Sequence, residues 1–305
     1  MFKNYTKAEK RRFPFVAAML AFPILQFLIF YVYLNFNTFV LAFTDIQGKF
    51  SLTNFQEIWK EWNNPTLLSL RTSLIHSIIT WCCSTFLVFP VTILFTYALY
   101  KKVKGEMIFR VVFFLPGILG SVVMSTLFRY LLDGPVSEVM YKLGWISEDL
   151  YQMGFFFGGI SFKTVLFYGC WLGFCGNIVV LTGAMSRIPA EVLEAAKLDG
   201  IGAMREFFQI VLPLVWPTIS TLLIYSLAGF FTADYGTYLL TGLGNTEATT
   251  MGYYLFNYIY YVTQSGSTSG VHYPAAVGVC ITLITMPVVL IIRYILEKHT
   301  DEIVY

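Results

Sequence analysis

Long apolar runs free of Asp, Glu, Lys and Arg recur along the whole sequence. There are six of them, at residues 14–43, 72–100, 111–128, 164–186, 212–233 and 274–292. A helix needs about 20 mostly apolar residues to cross a bilayer, and a charge at its centre costs about 2.5–3.5 kcal/mol. None of the runs shows the polar face of a soluble helix. The pattern therefore predicts an all-α membrane protein with six transmembrane helices.

The basic residues predict how these helices are oriented. Fourteen of the 20 Lys and Arg residues precede the first run, follow the sixth, or lie in the second and fourth connections. Because Lys and Arg are enriched in cytoplasmic loops, both termini are expected in the cytoplasm. The expected organisation is a cytoplasmic segment 1–13, a membrane domain 14–296 and a cytoplasmic tail 297–305. A cleaved signal peptide is the alternative for the N-terminus, but its apolar core would be only about 7–15 residues long.

Composition supports lipid as the surroundings and offers no catalytic chemistry. Hydrophobic residues make up 57% and charged residues 12%, and the mean hydropathy is +0.66. Soluble domains carry about 25% charged residues. The five cysteines lie in apolar runs without CxxC spacing, which favours buried thiols over disulfides or metal ligands. The sequence contains no phosphate-binding G-x-x-x-x-G-K-[ST] loop, so we expect neither enzymatic activity nor an ATP site in this chain.

The connection at 187–212 stands out because it is polar and helix-prone. Pro189 suits a first helical turn, residues 190–199 favour helix, and Gly200 suits the left-handed residue after a helix. A second helical arm is expected to run to Leu212-Pro213. The hairpin has little side-chain bulk at its tip and fits the shape of a docking element. The alternative is an ordinary connector, although about four residues suffice for that.

The same stretch resembles a known motif. Its residues follow the spacing E-A-A, three residues, G, nine residues, I-x-L-P, as in the EAA loop of permease subunits of binding-protein-dependent ABC importers. The resemblance covers roughly residues 70–296. In that family the loop holds a coupling helix that fits a groove on the ATPase subunit. The coupling residues implied here are Glu194, Ala195, Ala196, Lys197, Asp199, Gly200, Ile210, Leu212 and Pro213.

The resemblance also implies partners. These are a second permease subunit, which we expect to be a different chain, two ATPase subunits that bind ATP and Mg²⁺, and an extracellular solute-binding protein. Membrane lipid surrounds the chain, and no nucleic acid is expected. The location implied is the bacterial cell membrane, with this chain crossing it several times.

The fourth and fifth runs resemble the carbohydrate-uptake branch, the maltose and glycerol-phosphate type permeases. Gly173 stands where the maltose-type permease has a sugar-contacting glycine, and residues 226–235 correspond to its sugar-contacting segment. This chain departs from the branch there, because Phe230, Phe231, Thr232 and Asp234 replace an Asn-rich or Trp-Asn-Asp pattern. The candidate substrate-pathway residues are Gly173, Gly176, Asn177, Ser226, Phe230, Phe231, Thr232 and Tyr235.

The residues themselves leave alternatives open. The amide of Asn177 can donate and accept hydrogen bonds with hydroxyl-bearing cargo, whereas the glycines also suit close helix packing. The aromatics offer flat faces for a sugar, or they belong to the core or an interfacial belt, as we expect for residues 253–261. Asp234 is expected at the outer edge, solvated or facing a partner. The predicted function is carbohydrate import by alternating access. A non-sugar importer or a freestanding channel is the alternative.

Overall fold

The computed structural model describes residues 7–63, 69–264 and 268–301. Residues 1–6 of the predicted N-terminal segment and 302–305 of the predicted tail lie outside these ranges. Within them no β-strand forms, and a single antiparallel bridge pairs Thr44 with Phe50. The first eight α-helices are α1 Lys7–Phe27, α2 Leu34–Ala42, α3 Thr53–Asn63, α4 Leu70–Cys82, α5 Phe89–Tyr100, α6 Glu106–Ile118, α7 Ser121–Leu131 and α8 Ser137–Lys142. The others are α9 Glu148–Met153, α10 Ser161–Met185, α11 Ala190–Leu198, α12 Ala203–Glu206, α13 Leu212–Gly229, α14 Thr237–Thr241, α15 Met251–Gln264 and α16 His272–Asp301.

Several helical stretches in the described ranges are long and apolar enough to span a membrane. Five qualify alone, namely Pro14–Ala42, Leu70–Tyr100, Gly158–Met185, Ala203–Gly229 and His272–Lys298. A sixth candidate is the pair Glu106–Ile118 and Ser121–Lys142, which is bent by 115°. The all-helical membrane class is therefore confirmed, with five or six spans depending on how the bent pair is counted.

The span predicted over residues 111–128 is broken near its middle. Helix α6 ends at Ile118, and both Leu119 and Gly120 have extended backbone, with ψ of 139° and 146°. Pro116 lies one turn before the break and cannot donate a backbone hydrogen bond there. The bend follows from this proline combined with the weak helix preference of the nearby glycines.

Wide π-type turns interrupt several spans and connect their α-helical halves. One covers Cys83–Val88 and precedes Pro90, and another covers Phe207–Val211 and precedes Pro213. A proline ring inside a helix clashes with the carbonyl four residues earlier, and a widened turn relieves that clash without ending the helix. A third wide turn, Leu28–Tyr33, has no proline directly after it.

Two compact units make up the chain. The first comprises Met1–Lys60 with Ile259–Thr282. Inside it Asn54 is buried, and its side-chain amide donates to the backbone carbonyls of Ala42 at 2.9 Å and Thr44 at 3.0 Å. These bonds fold the segment after α2 back on the end of that helix.

The second unit comprises Glu61–Tyr258 with Leu283–Tyr305. It has two apolar cores at opposite ends of α10, one around Leu181 and Met185 and the other around Val165 and Tyr168. The middle of α10, between the two cores, carries the small and polar residues singled out in the sequence.

Helix α15 forms in the stretch predicted as an interfacial belt, but its first tyrosines are not a belt. Tyr253 and Tyr254 are at most 1% exposed. The hydroxyl of Tyr253 donates to the carbonyl of Gly242 at 2.8 Å, and that of Tyr254 to the carboxylate of Glu61 at 2.8 Å. Each phenol has a specific partner inside the second unit, which explains why it is buried.

Candidate functional site

The first arm of the hairpin 187–212 is a short helix that ends before Gly200, as predicted, although Pro189 precedes the helix instead of lying in its first turn. Pro189 is extended, and α11 starts directly after it. At the other end Gly200 has φ +72°, and the amide of Ile201 donates to the carbonyl of Ala196 at 3.1 Å. Glycine adopts this left-handed conformation without a steric penalty. The helix therefore stops and reverses at Gly200.

The second arm passes directly into the helix of the fifth apolar run, which the sequence predicted to begin at Leu212-Pro213. It begins with α12, passes through the wide turn Phe207–Val211 and continues into α13 beyond Leu212-Pro213. A single helical stretch thus runs from Ala203 to Gly229. The hairpin is continuous with a candidate span and is not hinged at the proline.

The tip of the hairpin is open, but its exposed side chains are larger and more apolar than the sequence predicted. Leu198 is 90% exposed, Met204 67% and Phe208 56%. No heavy atom lies within 4 Å of where a Cβ on Gly200 would stand. Of the residues implied by the EAA resemblance, Glu194, Ala195, Lys197, Asp199 and Gly200 are exposed, Ala196 is buried, and Ile210, Leu212 and Pro213 are partly buried.

The base of the hairpin is packed into the second unit. Phe207 and Val211 from the second arm lie with Ile188 in one core, together with side chains from the ends of α5 and α10. Leu193 of α11 packs against the same core. The hairpin is therefore fixed by apolar burial at its base, while its tip stays free.

A buried polar cluster joins the base to the end of α5. The carboxylate of Glu206, 2% exposed, accepts from the ammonium of Lys101 at 2.7 Å. The hydroxyl of Tyr97 donates to the carbonyl of Ala203 at 2.9 Å and also approaches Glu206 at 3.4 Å. We call Tyr97, Lys101 and Glu206 the hairpin clamp. Sequence reasoning missed it, because its partners are more than 100 residues apart.

Three of the predicted substrate-pathway residues meet around one small cavity. Gly173, Asn177 and Ser226 line a space of about 190 Å³ between α10, α13 and the wide turn after α4. Ser84 and Thr85 of that turn complete its polar wall, and the hydroxyls of Thr85 and Ser226 lie 3.5 Å apart. Ser84 and Thr85 were not predicted, although two adjacent hydroxyl residues in an otherwise apolar run could have indicated them.

A second, more open space adjoins the first through shared residues. Its volume is about 530 Å³, and Tyr225 and Ser226 line both spaces. Thr232 and Tyr235 from the predicted set line this one as well. Tyr235 has φ +53°, which is uncommon for a residue with a side chain. The two spaces together carry hydroxyl, amide and aromatic groups.

The other predicted pathway residues lie elsewhere. Phe230 is 8% exposed and packs on Trp81, with ring centroids 5.6 Å apart, and Phe231 lies beside it. A Cβ on Gly176 would meet no heavy atom within 4 Å, and this residue lines neither space. For Phe230 the structure thus favours the packing alternative.

Asp234 lies just outside the candidate span Ala203–Gly229 and is only partly exposed. Its carboxylate accepts from the amide of Tyr238 at 3.3 Å, and its carbonyl accepts from the hydroxyl of Thr237 at 2.6 Å. Burial raises the pKa of the carboxyl to about 6, although hydrogen bonds from the amides of Tyr238 and Gly236 act in the opposite direction. The residue is therefore built into the turn that starts α14 and is not freely solvated.

Comparison with known proteins points in one direction. No protein-family model matches the chain. The multiple sugar-binding transport system permease protein MsmF of Streptococcus mutans is 29% identical over 175 residues, which is 57% of this chain and 60% of that protein. The arabinooligosaccharides transport system permease protein AraP of Bacillus subtilis is 26% identical over 274 residues, 88% of this chain and 84% of that protein.

A solved structure shares the fold. A bacterial alginate ABC transporter, in complex with an alginate pentasaccharide-bound periplasmic protein, contains a chain that matches with a TM-score of 0.77 at 19% identity. The match covers 98% of this chain and 99% of that one. The relatives by sequence and the solved structure by fold agree: this chain is similar to permease subunits of sugar ABC transporters, and its apolar helices support a multi-pass protein of the bacterial inner membrane.

Proposed function

We propose that this chain is the membrane-spanning permease subunit of an ATP-driven importer that takes up a carbohydrate, an oligosaccharide or a sugar derivative, by alternating access. The observation that carries the proposal is the hairpin, which has a rigid buried base and an exposed tip in a chain similar to sugar permeases. A freestanding channel has no use for such an element.

The tip is the surface proposed to dock on an ATPase subunit. Leu198, Met204 and Phe208 are large apolar groups that the rest of the chain leaves uncovered. An exposed apolar patch rimmed by charged side chains is typical of a protein interface. Ala195 and Gly200 have little bulk, so a partner surface can approach the backbone closely. In this proposal both termini and the hairpin face the cytoplasm, and the partner subunits bind ATP and Mg²⁺.

Motion at the hairpin has a physical route to the cavity. The base packs on the ends of α5, α10 and α13, and the same helices, with the wide turn before α5, line the space around Asn177 and Ser226. Packed helices move as rigid bodies because interiors resist compression. Displacing the hairpin therefore shifts the walls of the cavity.

The chemistry of the cavity suits a neutral, hydroxyl-rich cargo. Ser84, Thr85, Asn177 and Ser226 provide both donors and acceptors, and Tyr225 adds an aromatic face. Binding sites in transporters lie near the bilayer midplane between helices. A second permease subunit would close the other side of the pathway, and a solute-binding protein would deliver the sugar from outside.

The first test is co-purification. The tagged chain, expressed with its neighbouring genes and extracted in mild detergent, should carry an ATPase subunit in equal amount. Vesicles containing that complex should accumulate a labelled oligosaccharide only when ATP and the solute-binding protein are present. Sugar flux without ATP, or a chain that purifies alone, would support the channel alternative.

The second test is site-specific cross-linking. A photoreactive amino acid in place of Leu198 should cross-link to the ATPase subunit. The matched control is Trp145, which is 70% exposed and predicted on the opposite side of the membrane. A cross-link to the ATPase from position 145 but not from 198 would contradict both the docking surface and the orientation.

A further inference from the structure

We infer that the hairpin clamp of Tyr97, Lys101 and Glu206 transmits movement of the hairpin 187–212 to α5 when an ATPase subunit displaces the hairpin. These three are therefore positioning residues for coupling. The inference rests on the proposed function, because it assumes that the hairpin receives motion from an ATPase subunit. It goes further by assigning the transmission of that motion to one ion pair and one phenol.

The geometry of the clamp favours a mechanical role. Tyr97 and Lys101 are one helical turn apart at the end of α5, so both side chains reach the same face. They meet the second arm at two points, the carbonyl of Ala203 and the carboxylate of Glu206. Two polar contacts, spaced about one turn apart on α5 and on the second arm, resist both sliding and rotation of the two helices against each other. Apolar packing alone resists such sliding only weakly.

The burial of the clamp is asymmetric. The side chain of Glu206 is 3% exposed and that of Lys101 is 27% exposed. A buried carboxylate requires a cationic or hydrogen-bonding partner, since an unpaired buried charge is strongly unfavourable. If the ammonium of Lys101 moved away, the carboxylate of Glu206 would be left buried without its cationic partner. The pair therefore holds throughout any movement that keeps this region dry.

The chain also offers an internal contrast. Glu106 and Arg110 form an ion pair at 2.7 Å within α6, but both side chains belong to the same helix and are partly exposed. Such a pair stabilises its own helix weakly and cannot connect two elements. It serves as the control for removing a salt bridge of similar chemistry that lies close in sequence to Lys101.

The experiment compares sugar transported per ATP hydrolysed in vesicles containing the whole complex. Glu206→Gln keeps the size of the side chain and removes its charge, and it should lower this ratio by about 2- to 30-fold while the ATPase subunit still co-purifies. Glu106→Gln should leave the ratio unchanged. The exchanged pair Lys101→Glu with Glu206→Lys should recover part of the ratio, which a purely local packing role does not predict.

The outcomes separate this inference from the proposed function. If the unmodified chain binds no ATPase, the proposed function fails. If it binds one and Glu206→Gln transports with an unchanged ratio, only the clamp inference fails. Should Glu206→Gln not accumulate in the membrane, Tyr97→Phe decides, because it keeps the ring and the ion pair and removes only the hydroxyl bonds. An unchanged ratio in Tyr97→Phe would then overturn the inference.

Discussion

The hairpin and the polar cavity are assembled in opposite ways within the same unit. The hairpin is a continuous stretch, 187–212, whose turn and first helix follow from local backbone preferences. The cavity is assembled from single residues of three separate stretches, Ser84, Asn177 and Ser226 among them. A site made of contiguous residues tolerates shifts elsewhere in the chain, whereas a site made of distant ones depends on every helix that carries it. Substitutions in the two regions should therefore have different effects.

The largest effect is expected where the hairpin enters the core. Phe207→Ala removes a ring that is 3% exposed and lies 4.9 Å from the ring of Tyr97, at a cost of about 3–5 kcal/mol. Phe208→Ala, one residue on, removes a 56% exposed ring and should change stability by no more than about 0.5 kcal/mol. Thermal unfolding of the chain after separation from its ATPase subunit measures both, because Phe208 belongs to the proposed docking surface. Equal losses would show that the base is not better packed than the tip.

The turn of the hairpin should give the next largest effect. Gly200→Val forces a β-branched residue to φ +72°, which costs about 1–2 kcal/mol. Uptake per ATP should fall while the protein remains in the membrane. Gly202→Val is the control, since Gly202 has φ −69° and open surroundings. If Gly200→Val kept the normal uptake per ATP, the conformation of this turn would not matter for coupling.

Substitutions in the cavity should lower the affinity for the cargo without lowering the amount of protein in the membrane. Asn177→Leu keeps the branched shape of the side chain and removes hydrogen bonds worth about 0.5–1.5 kcal/mol each, so half-maximal uptake should require a higher sugar concentration. Gly176→Ala, the adjacent residue outside the cavity, should behave like the unmodified chain. The concentration dependence of uptake in vesicles measures this. An unaltered curve for Asn177→Leu would exclude contact between this residue and the cargo.

The smallest effect concerns pH and the turn at Asp234. Its folded pKa of about 6 lies above the ordinary 3.8, so the folded protein binds this proton more tightly than the unfolded chain. Stability should therefore fall as pH rises from about 4 to about 6 and level off above that, with a modest amplitude because the carboxyl is partly exposed. Asp234→Asn should flatten the curve measured by thermal unfolding. If stability of Asp234→Asn still fell with rising pH over this range, another titrating group would be responsible for the pH dependence.

Local features of the fold were readable in the sequence because they depend on neighbours. The helix at 190–198, its end at Gly200 and most of the spans follow from composition and backbone preference. The break after Ile118 was missed even though Pro116 and Gly120 stand there, because apolar length alone does not reveal a bend.

Contacts between helices were not readable, because they depend on how each helix is rotated. Lys101 and Glu206 are 105 residues apart, and Thr85 and Ser226 are 141 apart. Nothing near either partner in sequence identifies the other. For the same reason Phe230 was grouped with the cavity, whereas its ring packs on Trp81.

The wide turns before Pro90 and Pro213 set the angular phase of the helices that follow them. An α-helix advances about 100° per residue, so an extra residue in a turn swings every later side chain around the axis. The face that Tyr97 and Lys101 present to Glu206 thus depends on the spacing upstream at Cys83–Val88. Deleting one residue there would leave the composition and hydropathy of the span almost intact, yet it would turn both groups away from their partner.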